Sequence, residues 1–545
     1  MKVTAPSVSV RTSSSILGAD GRPAVYASTR DTAYEGASMR GSLVKWKPSR
    51  ASADANILWE KDLLDDRSRD LVRNEPIAKS SINTALDLVI GTGPICRPMP
   101  DYRALGMSRK QAQEWSREVS NRFHDHFDTT DIDASRQLTG TGLTRLWYRE
   151  RLATGEAAML PLYLPDRVGV KYGLAFQQID TDRISNQNGI QDSQYLRKGI
   201  ELDEYLAPSA YHIRKAHEND AAFFGSFKEA WEWEIIPVRN EWGRPTFMHS
   251  FDKTRTDQHR GIGLFSEILP LFGDLHKYKG AELKAAVANA VVAGVMQSNV
   301  PMEELLEMYG GNTQQMLEER NGWLGNLGEG GAFIPLFPGD TLTSHNPARP
   351  NTAFAAFTMA LMRQIAANTG LPYEIIMKDF TQGSYSSLKA VFNTTYLTID
   401  PIRDTVSTDW LIPLFQMWLE EAVAMGDVEA PGFWKNKRAW SRCRYLFPGR
   451  GWLDEVREAQ AAQLRIATVM STLEIECARQ GLDYEEVIEQ RAIEQDLMRE
   501  HGVDMASVMS TIAIAPHTSE DDDNKANASA ASPAAQARKM MFTFD

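Results

Sequence analysis

The chain has 545 residues, 43% of them hydrophobic and 24% charged, and a formal net charge of −13 at pH 7. That length exceeds one ordinary core and predicts two to four domains or subdomains, folded over most of the chain. The acidic total argues against adhesion to nucleic acid through a basic surface, and three scattered cysteines (Cys96, Cys443, Cys477) without CxxC spacing exclude a disulfide framework and a cysteine zinc site.

Along the chain, the first fifty residues are rich in Ser, Ala, Thr and Gly and read as a flexible arm without a signal-peptide core. No run is long and apolar enough to predict a membrane span. From Asp62 to Ile90 apolar residues fall at helical spacing (Leu64, Val72, Ile77, Ile82, Leu86, Val89), interrupted by Pro76 and stopped by Gly91-Thr92-Gly93-Pro94. Residues 108 to 128 predict a second helix with Trp115, Val119, Phe123 and Phe127 on one face. From Gly155 to Met248 the pattern shifts to short runs, and strands are expected at Ala157–Leu164, Val168–Gln178, Ala210–Arg214 and Trp231–Pro237.

After Arg260-Gly261, residues 263 to 297 carry nearly continuous Leu, Ala and Val, with Gly273 and Gly280 as weak points. They predict a helix buried on nearly every face. Residues 301 to 351 mix a short helix at Glu303–Met308 with Gly/Pro-rich segments and a strand-like Ala332–Phe337. Thr352 to Asn368 predicts a helix about 25 Å long. Its apolar stripe is Phe354, Phe357, Leu361, Met362 and Ile365, and its back is alanine. Helices about 8–10 Å apart need small residues, here Ala355, Ala356, Ala360 and Ala366. Two or three helices are expected between Gly451 and His501, one of them capped near Ser471-Thr472 with Glu474 behind it. From Pro516 the acidic Glu520-Asp521-Asp522-Asp523 and an Ala/Ser/Asn run read as a disordered tail.

Enzyme signatures fail one by one. Gly91-Thr92-Gly93 has Cys96 where a dinucleotide fold needs its third glycine, and Gly140-Thr141-Gly142 has Arg145 there, so both read as turns. No GxxxxGK[ST] is present, and Gly36-Ala37-Ser38-Met39-Arg40 lacks the second glycine of a nucleophile elbow. His124-Asp125-His126, with Asp128, Asp131 and Asp133 behind it, is the one metal-like cluster, and a divalent-cation or nuclease site is its functional reading. No further ligand cluster supports that, so it reads as the polar end of a helix. Glu485-Glu486 and Glu474/Glu476 read as solvated helix faces.

A set of motifs in fixed order carries more. Asp70-Leu71-Val72-Arg73-Asn74-Glu75-Pro76 precedes Leu88-Val89-Ile90-Gly91-Thr92-Gly93. Gln178-Ile179-Asp180-Thr181-Asp182-Arg183 comes next, then Gly199-Ile200-Glu201-Leu202-Asp203 with Ala210-Tyr211-His212-Ile213 as a hairpin, and then Arg260-Gly261-Ile262. Gly370-Leu371-Pro372-Tyr373-Glu374, Asp379-Phe380 and Tyr385-Ser386-Ser387 form the most specific block, followed by Trp452-Leu453-Asp454 and Gly481-Leu482-Asp483-Tyr484-Glu485-Glu486-Val487. Over residues 57 to 500 this ordered set resembles the lambda-type portal family of tailed bacteriophages. Thr381-Gln382-Gly383-Ser384 departs from the family pattern by an added glycine.

The resemblance implies an α+β portal fold: a wing of mixed sheet plus helices, a helical stem, a small α/β clip and a helical crown. It further implies a ring of subunits, a dodecamer. In this sequence the divisions fall at 1–50 (arm), 51–261 (first part of the wing) and 262–297 (stem helix). The clip follows at 298–351 and a second stem helix at 352–369, then 370–450 (channel loop and rest of the wing), 451–515 (crown) and 516–545 (acidic tail). The ring would sit at one capsid vertex and conduct double-stranded DNA during packaging and ejection. Its partners would be other copies of itself, terminase, the major capsid and scaffolding proteins, and the head–tail connector. No membrane, metal, cofactor or catalytic residue is implied, and the place is the virion after assembly in the host cytoplasm. The family block puts Lys378, Asp379, Gln382, Gly383 and Ser384 in a loop facing the channel, with Lys378 touching phosphate and Gly383 supplying flexibility. Ala355, Ala356, Ala360 and Ala366 would meet a neighbouring subunit. Two readings compete: another virion structural protein of the minor head or tail, and a metal-dependent nuclease built on His124 and His126.

Overall fold

A computed structural model describes residues 35–37, 41–217, 219–220, 231–291, 295–298, 301, 303–304, 307, 310–315, 318, 340–343, 352–381, 383–451 and 455–502. The expected strand at Ala332–Phe337, most of the arm and clip, Trp452-Leu453-Asp454 and the acidic tail lie outside those residues.

The N-terminal helices form where the apolar spacing puts them. After the short α1 (Ala53–Ile57) come α2 (Lys61–Asn74) and α3 (Pro76–Val89), separated at Glu75, whose extended backbone is what a following proline demands. Gly91 and Gly93, both at positive φ, end the run and turn the chain into β1 (Ile95–Pro98). The brief α4 (Tyr102–Leu105) leads to α5 (Arg109–Phe127), opened by a reciprocal cap between Ser108 and Gln111, with all four predicted aromatic and apolar residues buried.

Next, α6 (Gly140–Thr154) corrects one expectation. Gly140-Thr141-Gly142 is not a free turn but the first helical turn, capped by Thr139. Gly140 is required because a Cβ there would lie 2.3 Å from the Phe127 ring. The strands follow: β2 (Glu156–Tyr163), β3 (Leu174–Ile179), β4 (Leu196–Arg197), β5 (Ile200–Leu202), β6 (Pro208–Arg214), β7 (Trp233–Pro237) and β8 (Met248–Phe251). The second expected run, Val168–Gln178, starts later than predicted. Gly169 at positive φ and Gly173 packed on Pro165 keep 168–173 in a turn, so β3 begins at Leu174. One antiparallel sheet has the order β3-β2-β8 and another β4-β5-β6-β7, the β5–β6 hairpin being the expected one.

The long apolar stretch divides. The helix α7 occupies Leu269–Val291 and not the whole of 263–297, and β9 (Val295–Ser298) pairs antiparallel with β10 (Asp340–Thr343). Nor is it buried on every face: Leu283 is 67% exposed and Lys277 and Lys284 face solvent. The apolar composition exceeds what a single chain covers. The second expected helix, α8, spans Thr352–Thr369, followed by α9 (Tyr373–Met377), α10 (Tyr385–Val406), α11 (Ile412–Ala424) and α12 (Lys437–Trp440). Then β11 (Cys443–Leu446) pairs with β1, and α13 (Glu455–Ala467), α14 (Leu473–Arg479) and α15 (Tyr484–Glu500) close the described chain. Thr472 caps α14 as expected.

The main core is aromatic. Phe123, Phe127, Trp147, Phe176, Trp410, Phe415 and Trp418 join α5, α6, β3 and α11 in one cluster, and the Trp410 indole donates to Thr144 Oγ1 at 2.9 Å. A smaller cluster (Ile179, Ile200, Tyr211, Ile213, Phe247) fills the space under the four-stranded sheet. Cys96 and Cys443 are free thiols on the β1–β11 ribbon.

Candidate functional site

The root of α7 is held by a buried charge network that no motif announced. Three glycines allow the chain to cross itself there: a Cβ on Gly155 would lie 2.1 Å from the Ile262 backbone, one on Gly261 equally close to the Gly155 carbonyl, and one on Gly263 2.3 Å from the Ala153 carbonyl. Beside that crossing, Arg260 and Glu156 are fully buried. The Arg260 guanidinium donates to Glu156 and to the carbonyls of Thr181 (3.0 Å), Ile184 (3.1 Å) and Lys198 (2.9 Å). Glu156 also accepts from the Gly261 N–H at 3.0 Å and from His249 Nε2 at 3.1 Å, and lies 3.2 Å from Lys61. Burial alone would raise the Glu156 pKa, but Arg260, Lys61 and His249 outweigh it and hold the carboxyl well below the usual carboxylate range. Asp65, bonded to Lys61 at 2.8 Å, is pushed up to about 7 by burial. The nearest sequence signals were the Gly155-Glu156 and Arg260-Gly261 pairs, 105 residues apart for the Glu156–Gly261 bond.

From that root, α7 lies beside α8, with Tyr278 stacked on Phe354 (5.6 Å) and edge-on to Phe357 (5.0 Å). Asn368 ties the C-terminal end of α8 to the Leu264 carbonyl at 2.6 Å. The alanine face splits. Ala355, Ala356 and Ala360 are exposed, whereas Ala366 is buried in the chain's own core. A neighbour cannot reach Ala366, which corrects its assignment to a subunit contact: it lies two residues before Asn368, where α8 is drawn into the core.

The loop between α9 and α10 runs from Lys378 to Ser384, so Met377 and Tyr385–Ser387 belong to the flanking helices. It is anchored at its start by Ile375 and Ile376, both buried, and by the Ser80 hydroxyl donating to the Ile376 carbonyl at 3.0 Å. Lys378 is exposed and closes α9 in the left-handed conformation (φ 54°). Asp379 accepts from the Thr381 hydroxyl (2.6 Å) and N–H (3.2 Å), which lower its pKa. Ser384 caps α10 by accepting from the Ser387 N–H at 3.3 Å. Gly383 serves packing: a Cβ there would come 2.7 Å from Leu388, and its φ is not among the positive ones. Gln382 lies outside the described residues.

The histidine cluster does not converge. His126 is buried and donates to the Leu174 carbonyl at 3.1 Å, while His124 accepts from the Cys96 N–H and lies 3.2 Å from Asp128. Asp133 is committed to the N–H groups of Ser135, Gln137 and Leu138. Among the described residues Asp180, Asp182 and His217 bring ligand atoms within 4.8 Å of one another, but Arg69 already salt-bridges both carboxylates. Burial depresses the His126 imidazole from 6.5 to about 4. The neutral ring therefore contributes stability that is complete above the unfolded pKa and is lost as pH falls toward the folded one. His126→Gln, which keeps a donor and removes the titration, is expected to flatten the loss of melting temperature between pH 7 and 4.5, an effect of roughly 2–3 kcal/mol. Parallel pH profiles for the two proteins would refute it.

Glu485 and Glu476 are not solvated faces, which corrects that expectation for them, while Glu486 is exposed as expected. Arg97 on β1 lies 3.0 Å from Glu485, 3.3 Å from Asp483 and 3.7 Å from Glu474, with its guanidinium over the Tyr484 ring. Glu476 is buried against Arg465 (2.8 Å) and Arg479 (3.1 Å). The Arg97 contacts dock α14 and α15 onto the body, and the Glu476–Arg465 pair ties α14 to α13.

Residues 40–403 match the family described as phage portal protein, lambda family. The portal protein of Escherichia phage N15 is 28% identical over 510 residues, covering 90% of this chain and 94% of its own length. Portal protein B of Escherichia phage lambda is 28% identical over 477 residues, with coverages of 84% and 88%. Among solved structures, a chain from the neck of an empty GTA particle, computed with C6 symmetry, is similar at 14% identity and a TM-score of 0.46, over 76% of this chain and 93% of that one. A chain from the virion of a native gene transfer agent gives 15% identity and a TM-score of 0.44, over 78% and 93%. With the family model matched over 40–403, most of its length, the chain belongs to the lambda family of phage portal proteins, a family of structural proteins.

Proposed function

We propose that about twelve copies close into a ring at one capsid vertex, through which double-stranded DNA is packaged and later leaves. Terminase would dock on this ring and then the head–tail connector, with the capsid and scaffolding proteins around it. The observation that carries this reading is the helix pair α7–α8. It leaves a body rooted on a rigid charge network, yet keeps Ala355, Ala356 and Ala360, and apolar Leu283, uncovered. In a ring each copy meets its neighbours through two different surfaces, and an obligate contact of that kind buries on the order of 2,000 Å² or more. On this reading 51–261 and 370–450 form the wing, α7 and α8 the stem, 298–351 the clip and 451–515 the crown.

The loop Lys378–Ser384 then faces the channel. Lys378 offers a passing phosphate contact, and Asp379, held ionised by Thr381, keeps the loop close to neutral so that DNA slides without being gripped. Lys378→Glu is expected to leave the ring intact in native mass spectrometry while shortening packaged DNA or impairing its retention, more severely at low salt. Normal packaging by an intact variant ring removes the loop from the DNA path.

A further inference from the structure

Two of the three C-terminal helices are covered only in part. Neither α13 nor α15 buries a single side chain, although they have 13 and 17 residues. Isolated helices of that length are marginal in water, and a stable one lays an apolar stripe against something. The body-side contacts of α15 are made by Glu485, bonded to Gln113 at 2.8 Å, and Glu489, paired with Arg117 at 3.2 Å. At about 100° per residue, the flank about 80° round the helix from those contacts carries Glu486, Gln490, Ile493, Leu497 and Glu500, spaced four, three, four and three residues apart. All five are exposed, Ile493 at 57% and Leu497 at 54%. This seam is apolar at its centre and acidic at both ends, and it contains no basic residue.

Its complement lies on another surface of the same chain. A groove of about 970 Å³ runs between α10, α13 and α14, with Arg491 reaching its edge from another face of α15. Its charged lining is Lys389, Arg450, Arg465, Arg479 and Arg491 against Glu458 and Glu476, and its apolar lining includes Phe392, Tyr396 and Leu473. We propose that the seam of α15 seats in this groove on the adjacent copy, so that each subunit gives a seam to one neighbour and a groove to the other. Lys389 pairs with Glu458, Arg450 with Asp400, and Arg465 and Arg479 share Glu476. The groove stays net basic through these shared cations and Arg491 and matches the acidic ends of the seam, while Ile493 and Leu497 cover its apolar floor. Because seam and groove are different surfaces, the contact is head-to-tail and propagates from copy to copy until it closes. The inference rests on the ring reading and assigns one of its contacts.

A native thiol makes the test direct, since Cys477 lines the groove. In the full-length chain, Ile493→Cys treated with a short bis-maleimide is expected to give a ladder of cross-linked species on a denaturing gel, climbing towards the full ring. Adding Cys477→Ser should abolish the ladder. Leu497→Asp should lower the ring population by about ten-fold or more, because it puts a charge at the centre of the contact. A band that stops at the dimer, or a ladder that survives Cys477→Ser, overturns the pairing of seam with groove. So does the absence of cross-links in rings whose mass is intact, as when the chain's own residues 503–545 fill the groove. A wild-type chain that stays monomeric at all concentrations overturns the ring reading and this contact together, which separates the two failures.

Discussion

Arg260→Leu is expected to leave little soluble, folded protein. The guanidinium is the main partner of a fully buried carboxylate and the donor to three carbonyls, those of Thr181, Ile184 and Lys198. Removing one side of a buried ion pair costs about 3–5 kcal/mol, because the remaining charge stays desolvated. The stranded carbonyls add to that loss. Against a total stability of about 5–15 kcal/mol, such a deficit empties the native state of a typical domain. The physical origin can be isolated. Glu156→Leu combined with Arg260→Leu removes both charges, and Lys61 keeps Asp65 at 2.8 Å and the Thr154 carbonyl at 3.1 Å, so the pair should recover part of the lost yield and melting temperature. A single variant that melts with the parent would show that the network does not hold the root of α7. A double variant no better than the single one would trace the loss to the carbonyls and not to the unpaired charge.

Arg97→Glu is expected to free the two last helices from the body while the rest of the fold stays intact. Arg97 is 14% exposed at its side chain and faces three carboxylates, so the reversal puts a fourth negative charge where a shared cation stood. Hydrogen bonds to charged groups contribute about 1.5–3 kcal/mol each, above the 0–1 kcal/mol of an exposed pair. What remains is the close contact of Gly449 and Gly481 with the Gln480 and Phe447 backbones, Gln113 with Glu485 and the exposed pair of Arg117 with Glu489. Hydrogen-exchange mass spectrometry should show faster exchange over 473–500, with peptides of the aromatic core unchanged. Arg97→Lys should fall between the two, since an ammonium cannot span three acceptors as a guanidinium does. Unaltered protection of 473–500 in Arg97→Glu would mean that the glycine contacts, with Gln113–Glu485 and Arg117–Glu489, hold the helices without Arg97.

What the sequence by itself determined is local. Apolar residues at helical spacing, Pro76, the Thr472 cap and the Gly91 and Gly93 stop placed α2, α3, α5 and α14 close to where they lie. Each of those signals acts within a few residues of its effect. The ordered motifs carried the family in the same way, because they are short segments. The tertiary structure decided what depends on distant partners. It ended α7 at Val291, drew Ala366 into the core and left Ala355, Ala356 and Ala360 outside. It turned Gly140-Thr141-Gly142 into a helix start through the Phe127 ring. It also joined Glu156 to Arg260 and Arg97 to Glu485, so that charges which looked solvated became the ties of the fold. Burial and charge pairing are properties of three-dimensional neighbours, and a carboxylate carries the same letter in a sequence whether water or a guanidinium faces it.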